Sequence, residues 1–178
     1  MRLNFGWQAM KKQTIQKHLV ENFADFWPQY LLFEIYRWRK ITEISGSPAD
    51  AMILHVVAWN YFLSTTLDQK IESKDFESVL KAWNVGFDDS SDKNSPLKKR
   101  LTVSGIAHQT SIAFETVRRR VSKLEERGLI TNSRERGILL RPDTDFNKKI
   151  VEDLHPMEQK SMINLLHRFC SYMGEEPK

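Results

Sequence analysis

Three consecutive arginines, Arg118, Arg119 and Arg120, stand inside the stretch IAHQTSIAFETVRRRVSKLEERGLI, residues 106–130. Guanidinium groups held that closely repel one another, so something anionic must offset the repulsion. Helical phase indicates which of them can reach it. Val117, Val121 and Leu124 fall at i, i+4 and i+7, a single apolar stripe. With that stripe turned inward, Arg118, Arg119 and Ser122 project outward, and Arg120 and Lys123 lie on the flanks. An arginine that neutralises a phosphate releases a condensed counterion. It also binds guanine O6 and N7 through two hydrogen bonds. The chemistry these side chains suit is recognition of a polyanion that carries base edges.

Such a row must be presented by a short, well-fixed element, and the flanking residues describe one. Thr102 is a good N-cap for a helix from Val103 to about Thr110. Ser111-Ile112 makes a brief turn, and a second helix runs from about Ala113 to Arg127, with Gly128 as its C-terminal stop. LITNS then reads as a strand, RERG as a turn and ILLRP as a returning strand. Short helix, turn, longer helix and hairpin together predict a winged helix-turn-helix over 100–142. The fold class expected is mainly α, with a small β-hairpin wing and flanking N-terminal and C-terminal helices.

Ile106-Ala107, Thr116-Val117 and LEERGLI at 124–130 carry a resemblance to the winged helix-turn-helix of bacterial transcription regulators, with a MarR-like layout because helices lie on both sides of it. In that layout a helix at 48–66 is the first helix of the winged domain, and residues 67–99 form a long insertion. Ser111 stands where such turns often carry Gly, and Ala113 where Ser, Thr or Pro often opens the second helix. The resemblance implies sequence-specific binding of double-stranded DNA by a homodimer. Helix 113–127 would read the major groove, and the 131–141 wing the backbone or minor groove. Because the first residues of such a helix meet base edges, Phe114, Glu115, Arg118 and Arg119 are the candidates for base contact, Glu115 by accepting from cytosine N4. Thr116, Ser122 and Lys123 are candidates for phosphate, as are Arg134 and Arg136 on the wing. The rival reading is a winged-helix protein–protein scaffold without DNA binding, its arginines paired with Glu125, Glu126 or a partner's acids.

Charge distribution agrees with a localised anion-binding face. The chain has 178 residues and a net charge of +4, yet residues 98–141 hold 11 Lys/Arg against 4 Asp/Glu, which leaves 16 basic and 19 acidic residues elsewhere. The positive charge is therefore a property of one segment, although a solvated face would show the same excess. Seven Gly and six Pro are few, which favours helices over a turn-rich β architecture. A single cysteine, Cys170, excludes an intrachain disulfide and fits a reducing compartment. The N-terminal residues are too polar for a signal peptide and no apolar run approaches the ~20 residues of a membrane span. These features lead us to expect a cytoplasmic protein that does not enter a membrane.

The rest of the chain divides at the sequence level into an aromatic helical arm or dimerisation region at 1–46, helices and a linker at 47–99, the winged unit at 100–142, and C-terminal helices at 143–178. Within the arm, Asp25 and Pro28 predict a helix start, followed by apolar residues on almost every side from Tyr30 to Ile44. Such a helix needs cover, and a subunit interface would supply it. Ser47, Pro48 and Asp50 predict a capped start for the 48–66 helix. Further helices are expected at 74–84 and after Pro156, the latter with Cys170 packed, and 87–99 reads as a linker. Trp27, Tyr30, Trp38, His55 and Trp59 are core or interface aromatics by spacing, and are also the candidates for a small-molecule effector pocket. The five histidines form no metal-ligand pattern, no cofactor is implied, and the absence of a nucleophile elbow, phosphate loop or paired acid motif argues against an enzyme.

Overall fold

The computed structural model describes residues 12–67, 78, 100–141 and 144–174. It is mainly helical with a small two-stranded antiparallel sheet. In chain order the elements are α1 (Lys12–Glu21), α2 (Phe23–Ser45), α3 (Pro48–Leu67), α4 (Val103–Thr110), α5 (Phe114–Glu126), β1 (Ile130–Ser133), β2 (Gly137–Leu140), α6 (Asp145–Lys149), a π-helical turn (Ile150–Leu154) and α7 (His155–Gly174). Apart from Ser78, the helix expected over 74–84 lies outside the described residues, as does the linker expected over 87–99. Among the described residues, no helix is long and apolar enough to cross a membrane.

The chain divides into two compact units. One takes the chain up to Arg39 and again from Leu154, and the other runs from Lys40 to Asp153. In the first, Phe26 of α2 meets Phe169 of α7 edge-on at 5.8 Å. Arg37 Nε donates to Glu158 Oε1 at 2.6 Å. α2 begins at Phe23, ahead of the start expected at Asp25, so Pro28 sits in its second turn. The reason is Asn22. Its side-chain amide donates to the His18 carbonyl at 2.9 Å, closing α1, while its own carbonyl accepts from Phe26 N at 3.0 Å, opening α2. Pro28 offers no N–H to the preceding turn, and it lies on the exposed side of the helix. Leu31, Leu32, Ile35 and Tyr36 leave an apolar side of this helix open to solvent. Cys170, expected to pack, is exposed as well. It lies one residue beyond half-buried Phe169, a step of about 100° around the helix.

The second unit is built round one core. Ile53, Leu54 and Val57 of α3 join Ile106 of α4, Val117, Val121 and Leu124 of α5, and Ile130, Ile138 and Leu140 of the hairpin, with Leu101, Leu129 and Phe146 completing it. α3 starts where Ser47, Pro48 and Asp50 place it: Asp50 N donates to Ser47 Oγ at 3.1 Å and the Ser47 hydroxyl donates to Asp50 Oδ2 at 2.7 Å. Burial on α3 pushes the Tyr61 phenol above its ordinary range, so it stays neutral there.

The hairpin pairs Ile130 with Leu140 and Ser133 with Gly137. Leu101 runs beside β2, its carbonyl accepting from Ile138 N at 3.0 Å. That approach leaves no room for a side chain at Gly137, whose φ is +77°; a Cβ there would lie 2.6 Å from the Leu101 oxygen. Ser111, between α4 and α5, also adopts the left-handed region, with φ 57° and ψ 18°, and does so without being glycine. Two substitutions therefore move stability in opposite directions. Gly137→Ala should lower unfolding free energy by about 2 kcal/mol or more, from strain plus a backbone clash. Ser111→Gly should raise it by about 0.5–1 kcal/mol. Denaturant titration followed by circular dichroism measures both.

Candidate nucleic-acid interface

α5 is fixed at both ends by short-range geometry. Thr102 caps the preceding α4 by accepting from Gly105 N at 3.1 Å. Thr110 bonds back to the Ile106 carbonyl at 2.8 Å and accepts from Ile112 N at 3.3 Å, so the turn is tied to the helix it leaves. α5 opens at Ala113 with no side-chain cap. It closes in a Schellman motif: Gly128 N reaches Glu125 O at 2.8 Å and Leu129 N reaches Leu124 O at 3.0 Å, with Gly128 at φ +73°. Leu124 and Leu129, the residues that motif brings together, are both buried.

The apolar stripe read from the sequence is dry: Val117, Val121 and Leu124 are each at most 1% exposed. The opposite side of α5 presents Glu115, Thr116, Arg118, Arg119, Ser122, Lys123 and Glu126 along one shallow concavity. Phe114, at the start of the helix, is 48% exposed. Arg118 Nε donates to Glu115 Oε2 at 2.8 Å in an i,i+3 pair with both side chains in water. Such a pair contributes only about 0.2–0.5 kcal/mol, so either member is released cheaply to a ligand. The Ser122 hydroxyl donates to the Arg118 carbonyl at 3.2 Å. Among the described residues, the Arg119 and Lys123 side chains meet no hydrogen-bond or ion-pair partner.

The third arginine of the run is not part of that face. Arg120 turns back towards α3, where its Nη1 donates to Ser47 Oγ at 2.8 Å and to Asp50 Oδ1 at 3.1 Å. Two further cations of the basic segment are also directed at the protein. Arg127 Nη1 donates to the Ser45 carbonyl at 2.7 Å, capping the end of α2. Arg100 donates to the Arg134 carbonyl. The local excess of positive charge therefore overstates the cationic surface. The run carries two outward arginines, and Lys123 extends their row.

On the hairpin, Arg134 is exposed, whereas Arg136 is half-buried and its backbone N–H donates to Ser133 Oγ at 3.0 Å. Glu125 Oε1 accepts from Asn132 N at 2.8 Å, tying β1 to α5. Of the aromatics singled out for an effector, Trp27 meets Tyr30 edge-on at 5.4 Å and lines an open apolar groove with Phe23, Ala24, Pro28 and Leu31. Trp38, half-buried, belongs to the same unit. In the other unit, His55 Nδ1 lies 3.3 Å from the Ala51 carbonyl of its own helix, and Trp59 is 53% exposed. No group of three or more His, Cys, Asp or Glu among the described residues could hold a metal ion.

The residues that sequence reasoning missed are Ser45 and the second task of Ser47 and Asp50. The latter pair was legible as a helix cap, and nothing local says that the same oxygens also accept from α5. Compared with protein-family models, with curated proteins and with solved structures, the chain matches none. The two faces of α5 make a direct contrast. Leu124→Ala should lower unfolding free energy by about 2–5 kcal/mol, and Ser122→Ala should change it by no more than about 0.5 kcal/mol. Thermal and urea unfolding of the two variants would show the difference.

Proposed function

We propose that this protein is a sequence-specific DNA-binding transcription regulator, with α3, α4, α5 and the β1–β2 hairpin forming a winged helix-turn-helix and α5 entering the major groove. The observation that carries this reading is the division of α5: a fully buried apolar stripe on one side, and on the other Arg118, Arg119 and Lys123 facing solvent. A helix fits the ~12 Å width of the major groove, where arginine has the most discriminating partner in guanine. Three further features support it. Leu101 lies against β2 as a rudimentary outer strand of the wing. α5 lacks a side-chain cap, which leaves its first-turn amides for a phosphate. Arg134 stands exposed on the wing.

The regulator acts as a homodimer in this proposal, since two recognition helices related by a two-fold axis match two half-sites about one helical turn, ~34 Å, apart. The open apolar side of α2, Leu31, Leu32, Ile35 and Tyr36, is the surface a second copy would cover. Ile35→Asp should then shift the sedimenting species from dimer to monomer, and a monomeric wild type would remove this part of the proposal.

Selection from random duplex DNA, followed by gel-shift titration at two salt concentrations, tests the reading. Arg119→Ala should weaken binding to the selected site by about 1–3 kcal/mol and relax preference at one base position. Lys123→Ala should weaken all duplexes alike and reduce the salt slope by about one. No salt-dependent affinity for any duplex would sink the proposal.

A further inference from the structure

The corner between α2 and α3, Ser45-Gly46-Ser47, is gripped by a side chain of α5 and by that of its C-cap residue, Arg127. Arg120 holds Ser47 Oγ and Asp50 Oδ1, and Arg127 holds the Ser45 carbonyl. The grips are seven residues apart, about 10 Å along the helix, so they bear on its middle and on its end. The corner is itself rigid. Ser45 is fully buried with its hydroxyl donating to the Ile41 carbonyl at 2.7 Å. Gly46 takes φ +95°, and a Cβ there would lie 3.6 Å from the Arg127 guanidinium.

The Arg120–Asp50 pair is withdrawn from water, at 30% and 13% side-chain exposure, and Arg120 Nε is buried with no hydrogen-bond partner. An incompletely satisfied pair of this kind adds little stability compared with an apolar filling. What it adds is direction. Burial of Val117, Val121 and Leu124 is non-directional and tolerates a small rotation of α5 about its axis. Hydrogen bonds with fixed geometry do not.

We infer that Arg120 and Arg127 are positioning residues that set the rotation of α5, and so decide which bases Arg118 and Arg119 face. This rests on the DNA-reading proposed above. It also means that Arg120, though part of the arginine run, neutralises no phosphate.

The test uses Arg120→Met and the milder Arg127→Met in the full chain, with two readouts. The first is affinity for the selected duplex and for a scrambled duplex, each at two salt concentrations. Discrimination should fall about tenfold or more in Arg120→Met, with the salt slope unchanged, because no counterion contact is lost. The second needs no DNA: spin labels at Met52→Cys on α3 and Ser122→Cys on α5, in a Cys170→Ser background, report the distance between the helices. Its distribution should shift or broaden in both variants. A salt slope reduced by about one would make Arg120 a phosphate contact and overturn the inference. Unchanged discrimination with an unchanged distance distribution would overturn it too. If the wild type binds no duplex, the DNA reading falls, and the label distances alone then decide: broadening upholds the clamp, and no change refutes it. If Arg120→Met fails to fold, Arg127→Met carries both readouts.

Discussion

The arrangement of the second unit depends on one dry seam. Val117, Val121 and Leu124 share a core with Ile53, Leu54 and Val57 of α3, and the α5 residues of that core are at most 1% exposed. Because a helix has a fixed angular step, burying three positions at i, i+4 and i+7 sets, to within a small rotation, which positions face outward. Phe114, Glu115, Arg118, Arg119, Ser122 and Lys123 face solvent as a consequence of that seam. The hairpin follows from it as well, since the Schellman closure at Gly128 delivers Leu129 and Ile130 into the same core.

Apolar packing of this kind sets position coarsely and leaves polar bonds to set it finely. The second unit uses several of its charged residues for that purpose. Arg100, Arg120 and Arg127 all donate to oxygens of the protein, and Glu125 accepts from Asn132 N of β1. A cation that makes such bonds is removed from any count of surface charge. Among the described residues, Arg118, Arg119 and Lys123 form a short outward row on α5, Arg134 is exposed on the hairpin, and Arg141, Lys148 and Lys149 are exposed beyond it.

In the first unit, pattern and environment part company. α2 is apolar on nearly every side, and the reading that such a helix must be covered meets Leu31, Leu32, Ile35 and Tyr36 in solvent. Packing of α2 against α7, through Phe26 and Phe169 and through Arg37 and Glu158, covers only part of its circumference. A helix surface divides among as many neighbours as can reach it, and a single chain of this length provides few.

The sequence by itself determined α4, the turn and α5 to within about a residue and the hairpin strands to within about two, because each is specified by local rules: the Thr102 cap, the apolar stripe, the Gly128 stop and the RERG turn. It likewise placed the α3 start, through Ser47, Pro48 and Asp50. It misplaced the start of α2, where Asn22 serves two helices at once and no single-residue preference reveals that. Only the tertiary structure decided the fate of the third arginine. Arg118, Arg119 and Arg120 are chemically identical neighbours, and helical phase distinguishes them only as outward or flanking. What separates Arg120 is an aspartate 70 residues earlier, brought within 3.1 Å by the packing of α3 on α5. A charge seeks whichever partner the fold brings near it, and local sequence carries no record of that distance.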